Sequence, residues 1–447
     1  MDRQKKKILL AILVVAFIQM PGLALTPGIN QIRQVAFSEY SLGAVQTALA
    51  VSALAQPVAA FGAALLINRR LVTKKVVILL GLVLLAITGG LAFVANTEFW
   101  HLIMLSILLG ASTGFFMSNM FGLISDNFDT AERQAIMGWQ TSIINAGGIM
   151  MSLMGGLLAG YIWYGGYSML LVGLPAAVLV AFMVPNYKAP ATDGTGESVA
   201  STINSADAAG NRDAVDAAGT MGAIDDASTV STTDGISSAG NKKARSGLDP
   251  RIYYYCAAAC LFFMTYSVCG SNLSTHISGL GNTGTAGIAV AFQMGGGVVS
   301  GLFFGKLSKK IGDYSLSVAL GLVFVGYMLL SLFPSSLALV FGSVFIVGMA
   351  LSIMLPRCIF MVSTLAVDKS TSATATALIS VVSPSAGGFL SPIVFTNVTT
   401  ALFGNSTTAR YRFVGFFVLA VAIAVAVVTA SRGNKAPGLK ADSPQSA

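Results

Sequence analysis

Two short stretches decide how the chain is read: "LLINRRLVTKK", Leu65–Lys75, and "GKLSKKIGDY", Gly305–Tyr314. Each gathers lysine or arginine between long apolar runs, in a chain of 447 residues that is 55% hydrophobic and 10% charged. An average soluble domain is about 25% charged. The low value excludes a water-soluble composition, and the charges that exist avoid the apolar runs. Those runs recur at about 20 residues, the length an α-helix needs to cross a bilayer. "VVILLGLVLLAITGGLAFVA", Val76–Ala95, is apolar on every side. Barrel strands of about ten alternating residues are therefore excluded, and the reading is an all-α polytopic membrane protein.

Apolar runs place helices near 8–30, 43–67, 76–95, 99–124, 135–160 and 166–185. Six more follow near 252–274, 284–305, 315–334, 337–362, 373–402 and 411–431. Residues 186–250 between the sets are rich in Ser, Thr, Ala, Gly and Asp and poor in large apolar side chains. Such a segment cannot bury enough surface to offset the entropy of ordering. The expected organisation is a six-helix bundle over 1–185, a disordered cytoplasmic linker over 186–250, a second bundle over 251–431 and a tail over 432–447. A regulatory or partner-binding loop is the alternative reading of the linker. "MDRQKKK" before the first run resembles a signal-peptide start, but the run is long and lacks a convincing small-residue cleavage site, so a retained first helix is expected.

The net charge of +8 reflects orientation rather than nucleic acid. With both termini in the cytoplasm, twenty-two of the 26 lysines and arginines fall on that side, as the positive-inside rule requires. Arg33, Arg410 and Arg412 are left outside, and Arg357 within a helix. The four cysteines, Cys256, Cys260, Cys269 and Cys358, lie inside predicted spans and read as small apolar residues, with no metal-ligand spacing. The two basic stretches then fall on one side, between helices 2 and 3 and between helices 8 and 9. A shift of 240 residues lays Asn68, Arg69, Arg70 and Leu71 on Ser308, Lys309, Lys310 and Ile311, and Gly81 on Gly321. The same shift lays "NAGG", Asn145–Gly148, on "SAGG", Ser385–Gly388. A six-plus-six internal repeat is a transporter architecture.

On these features the chain resembles the major facilitator superfamily. That family carries a turn reading roughly Gly-x-x-x-Asp-Arg-x-Gly-Arg-Lys between helices 2 and 3, with a weaker copy between helices 8 and 9. Here the second copy supplies Gly305, Lys310, Ile311 and Gly312, while the first keeps Arg69, Arg70, Lys74 and Lys75 without the aspartate or the central glycine. Helix 4 and its exit are similar to the family pattern through Gly110, Gly114, Asp126 and Arg133. Ser106 stands where many drug and proton antiporters have an arginine. The resemblance implies twelve helices in two pseudo-symmetric bundles and alternating access to a small organic solute. It also implies a cavity lined by helices 1, 4, 7 and 10, with 2, 5, 8 and 11 beside them. The turns around Asn68, Arg69, Arg70, Gly305, Lys309, Lys310, Gly312, Asp126 and Arg133 are the expected conformational gates.

Candidate substrate contacts are the polar residues near mid-span: Gln19, Gln56, Asn119, Gln140, Asn145, Asn272 and Gln293. Interhelical hydrogen bonding is the alternative for each. Arg357 in "SIMLPRCIFM" stands out, because an arginine in a bilayer costs about 2.5–3.5 kcal/mol on insertion scales. The eighteen acidic residues all lie outside the spans or at their ends. Either Arg357 faces the cavity and attracts a carboxylate or phosphate, or it snorkels to the surface or pairs with Asp126. The first reading favours an organic-anion carrier in the cell membrane. A drug-type exporter of apolar or cationic compounds and a non-transporting sensor are the alternatives. No nucleophile, base and orienting group share a face and no cofactor motif is present, so neither an enzyme nor a metal or cofactor is expected. The expected partners are a small solute and lipid, not nucleic acid, and the expected state is a monomer.

Overall fold

The computed structural model describes residues 3–128, 130–185, 249–365, 375 and 378–433. The expected linker, apart from Asp249 and Pro250, and the expected tail, apart from 432–433, lie outside the described residues. All described secondary structure is helical. The chain forms α1 (Arg3–Phe17, continued by Pro21–Ala36 after a 40° bend), α2 (Leu42–Asn68), α3 (Lys74–Leu91), α4 (Phe99–Asn127), α5 (Thr130–Tyr161) and α6 (Gly165–Met183). It continues with α7 (Pro250–Ile277), α8 (Thr283–Ile311), α9 (Ser315–Leu332), α10 (Leu337–Leu365), α11 (Leu378–Phe403) and α12 (Thr407–Gly433). Eleven are long and apolar enough to cross a membrane, and the bent first pair makes twelve.

Local chemistry sets the helix starts. Ser41 Oγ accepts from the Ala44 N–H at 3.1 Å, Thr73 Oγ1 from Val76 at 3.4 Å, and Asp249 Oδ1 from Arg251 at 2.8 Å, each satisfying an otherwise unpaired N–H of a first turn. Pro250 follows its cap at the first helical position, where the missing N–H costs nothing. Pro21 and Pro27 break α1 into short 3-10 pieces at Pro21–Ala24 and Thr26–Gly28. Two π turns, Leu378–Val382 and Pro392–Thr396, interrupt α11.

Two separate apolar cores hold the bundles. One runs from Ile8 to Val184 and the other from Ile252 to Val425. Large apolar side chains cover the outside as well, Phe182 at 84% and Leu302 at 70% exposure, as a lipid-facing surface requires. Lys5 Nζ pairs with Glu132 Oε2 at 2.8 Å and Lys75 Nζ donates to the Ala181 carbonyl at 2.8 Å. The starts of α1, α3 and α5 therefore share one end with the close of α6. This is called the basic end below, and the other the far end.

The repeat is visible in backbone contacts that only glycine permits. A Cβ on Gly147 of α5 would lie 1.8 Å from the Phe17 carbonyl oxygen of α1, and one on Gly387 of α11 would lie 2.5 Å from the Cys260 carbonyl oxygen of α7. These two glycines are the pair that the shift of 240 residues aligned.

At the basic turns the register differs from that alignment. Helix α8 continues past residue 305 to Ile311, so Gly305, Lys309 and Lys310 sit on helix, not in a turn. Asn68 likewise ends α2, Asp126 lies in the last turn of α4 and Arg133 in the first turn of α5. The residue that turns the chain is Arg70 in the first half and Gly312 in the second, both at φ +56°. Arg70 closes α2 with Arg70 N–H to Ile67 O at 2.9 Å and Leu71 N–H to Leu66 O at 3.1 Å. The central glycine missing from the first motif is thus replaced by a strained arginine in the same left-handed position. The gap that the sequence comparison must admit is two residues wide.

Two stability tests follow. Arg70→Gly is expected to raise unfolding free energy by about 1 kcal/mol by removing a left-handed side chain, and Gly312→Ala to lower it by a similar amount. Shifts of the same sign in detergent thermal melts would contradict the turn assignment. Gly147→Leu should cost about 2 kcal/mol through overpacking against α1. An unchanged melting temperature would mean that α1 and α5 do not touch as described.

Candidate functional site

Between the bundles lies a cavity of about 440 Å³, within the range of about 300–1,000 Å³ usual for small-molecule sites. Its walls come from both halves. On α2, Gln46, Leu49, Ala50 and Ala53 repeat at the spacing of one helical face, and on α7 so do Ser267, Gly270 and Ser271. The broken segment of α1 contributes Gly22, Leu23 and Thr26. Leu109 of α4, Gln293 and Met294 of α8, and Gly388 and Pro392 of α11 complete it. Irregular backbone at membrane depth is tolerated where it lines such a cavity, which accounts for the position of the α1 break.

Among the described residues, the lining carries no ionisable acid or base other than the Tyr266 phenol. Several of their hydroxyls are spent locally: Ser271 Oγ donates to Ser267 O at 2.8 Å, Ser52 Oγ to Leu49 O at 2.8 Å and Thr26 Oγ1 to Gly22 O at 3.2 Å. Tyr266 Oη is buried and has no hydrogen-bond partner among the described residues, and Gln293 stands next to it. The described wall is therefore an apolar surface with a few neutral amide, hydroxyl and phenol groups, chemistry that suits an uncharged hydrogen-bonding solute.

Toward the far end the cavity is closed by a polar layer that joins the halves. Gln46 Nε2 of α2 donates to Asn272 Oδ1 at 3.1 Å and to Ser271 O at 2.7 Å on α7. Gln46 Oε1 accepts from Thr396 Oγ1 of α11 at 2.6 Å. Ser274 Oγ donates to the Pro27 carbonyl and accepts from the Asn30 N–H at 3.2 Å. Beside this layer α5 and α8 meet through Gly156 and Gly287, where a Cβ on Gly156 would come within 3.0 Å of the Gly287 Cα. Behind it lies Arg410 of α12, with 0% exposure. Its Nη1 donates to Asn272 Oδ1, its Nε to Thr399 Oγ1 at 2.9 Å and its Nη2 to Thr400 Oγ1 at 2.9 Å.

The sequence-derived candidates scatter around this site. Gln293 lines the cavity and Asn272 is buried in the gate. Gln19, by the α1 break, and Gln140, on α5, are buried, and Gln19 Oε1 and both amide atoms of Gln140 have no partner among the described residues. Asn119 is buried with Nδ2 donating to Phe115 O at 2.8 Å, and the Gln56 amide approaches Met117 Sδ at 3.1 Å. Asn145 and Arg357 are half-buried and do not belong to the cavity lining. Arg410 corrects the reading outright: expected in an outer loop, it is drawn inside because α12 starts at Thr407 and not at 411. Its signal was present in Thr396, Thr399 and Thr400, which share one helical face and offer hydroxyls to a neighbour. Gln46, Tyr266 and Ser271 were missed as well. The α2 and α7 facial spacing could have found them.

Residues 8–392 match the profile described as Major Facilitator Superfamily. No curated protein sequence matches the chain. Among solved structures, that of nucleoside transporter NupG is similar with a TM-score of 0.67 at 13% identity, covering 97% of this chain and 100% of that one. A bacterial homologue of the human lysosomal transporter Spinster, in an inward-facing and unoccupied conformation, is similar with a TM-score of 0.64 at 15% identity, covering 96% of each chain. With two six-helix bundles around a central cavity and a family match over most of its length, the chain belongs to the Major Facilitator Superfamily of membrane transporters.

Proposed function

We propose that the protein is a secondary transporter carrying a small, uncharged, hydrogen-bonding organic solute by alternating access. The observation behind the substrate class is the cavity wall, where the polar groups of Gln46, Tyr266 and Gln293 are neutral and no described lining residue carries a charged side chain. A nucleoside, the class for which one structural neighbour is named, has the matching chemistry: polar edges, an aromatic face and no net charge. The organic-anion reading rested on Arg357, which is not part of this wall. The basic end is assigned to the cytoplasm because twenty-two of the 26 lysines and arginines fall there or in segments joined to it. Both termini then lie in the cytoplasm of a cell-membrane protein, and the closed far end makes the described arrangement inward-facing. In this reading 1–185 and 251–431 are the moving bodies, 186–250 tethers them and 432–447 is a tail. The working unit is one chain.

Two measurements test the reading. Proteoliposomes should take up uncharged solutes from a panel of nucleosides, sugars, organic anions and cationic dyes. Tyr266→Phe should lower kcat/KM for the carried solute about tenfold, as loss of one buried hydrogen bond to substrate predicts. Uptake confined to anions and abolished by Arg357→Gln would overturn the uncharged-solute reading, and uptake confined to cationic dyes would favour the exporter. Removing residues 190–245 should leave the flux intact. Flux absent from every preparation, together with a cellular response that this deletion abolishes, would identify a sensor instead.

A further inference from the structure

The fully buried Arg410 is not explained by a solute cavity, since it lies behind the gate and lines no part of that wall. Among the described residues no carboxylate pairs with it. Its hydrogen-bond partners among the described residues are one carboxamide oxygen and two hydroxyls, all neutral. Removing a guanidinium from water without a counter-ion is costly, so its position calls for a physical role.

That role is legible in the direction of the hydrogen bonds. Arg410 can only donate. Its Nη1 therefore holds the Asn272 side chain with Oδ1 turned toward the gate, while Asn272 Nδ2 donates backward to Val268 O at 2.9 Å. The oriented Oδ1 is the acceptor that Gln46 Nε2 reaches from the other half. Gln46 is thereby fixed with Oε1 facing Thr396, which donates to it. Reversing the Asn272 amide would put an NH₂ against both a guanidinium and the Gln46 NH₂, with donors facing donors. Thr399 and Thr400, one residue apart on α11, hold the guanidinium itself through Nε and Nη2. Arg410, Asn272 and the threonines all belong to the second half, and only Gln46 crosses. When the halves part at the far end, Gln46 leaves and the others stay together.

We propose that Arg410 is the positioning residue of the far gate. It acts through Asn272 to present an acceptor to Gln46, latching the far end shut. The same opening that breaks the Gln46 bonds brings the guanidinium nearer to water, which favours its charge. The hydrogen bonds thus favour the closed arrangement and the hydration of Arg410 favours the open one. Such opposed terms keep the two states close in free energy, as repeated alternation requires. The inference rests on the alternating-access reading above, but not on the identity of the solute.

The test reads gate opening without any substrate. Cys256, Cys260, Cys269 and Cys358 are replaced by alanine, a reporter is introduced as Thr26→Cys on the cavity wall, and the protein is reconstituted. A membrane-impermeant maleimide is then added to one face at a time. Arg410→Met should raise the far-face labelling rate about tenfold, the effect of losing a buried charged hydrogen bond, and lower the basic-face rate. Gln46→Leu should do the same, and the Arg410→Met/Gln46→Leu double variant should label no faster than the faster single variant, because both act on one latch. An unchanged or slower far-face rate in Arg410→Met overturns the proposal, as do rates that rise at both faces or multiply in the double variant. If Arg410→Met does not fold, the shape-conserving pair Thr399→Val and Thr400→Val must give the same two-sided shift. If that pair leaves the rates unchanged, the proposal fails. Far-face labelling absent from every variant, Gln46→Leu included, overturns alternating access together with the latch.

Discussion

Lipid accepts no hydrogen bonds, and this constraint organises the protein. A polar side chain inside the bilayer must find its partner within the bundle or face enclosed water. The helices satisfy the main chain. The side chains collect where the two halves meet: the cavity wall at Gln46, Tyr266 and Gln293, and the far-end layer through Asn272, Thr396 and Arg410. Apolar residues, free of that demand, face outward as readily as inward, and this is why Phe182 and Leu302 are exposed. In a soluble protein such surfaces would signal an interface. Here they signal the solvent.

The close approach of helices imposes a second requirement. Without a hydrophobic driving force between lipid-embedded helices, association relies on contact and hydrogen bonding, and small residues allow backbones to touch. Gly147 against Phe17 and Gly387 against Cys260 repeat one such contact in each half. Gly156 against Gly287 makes another across the halves. The first two hold each bundle together, while the third would have to separate in the proposed opening of the far end. The same chemistry serves both because its strength depends on how many other bonds accompany it.

Twelve apolar runs, two halves and the glycine pair at a shift of 240 residues were legible in the sequence because length and spacing determine them. The basic turns were legible as sites but not in register: helix propensity carries α8 on to Ile311, and only the left-handed residue marks the true end. Gln293 and Asn272 were found because polar residues in apolar spans are conspicuous. Gln46 was not, since it lies one turn inside a helix start, where polarity is unremarkable. Arg410 was assigned to water for the same reason. Hydropathy ends a span at the first cation, whereas the structure buries that cation by surrounding it with threonine hydroxyls. Which polar groups meet is a property of helix rotation and tilt, and a single chain's hydropathy carries little of either.

The composition of the far-end closure also bears on its thermodynamics. The hydrogen bonds that would part there join amides, hydroxyls and a proline carbonyl, beside close glycine backbone and the Leu157 side chain against Gly284. Exposing apolar surface raises heat capacity and exposing polar surface lowers it. Polar groups wetted on opening this end would offset part of the heat-capacity rise from the hydrocarbon exposed with them. The van't Hoff plot for the balance between closed and open states is then less curved than that of an all-aliphatic gate of equal area.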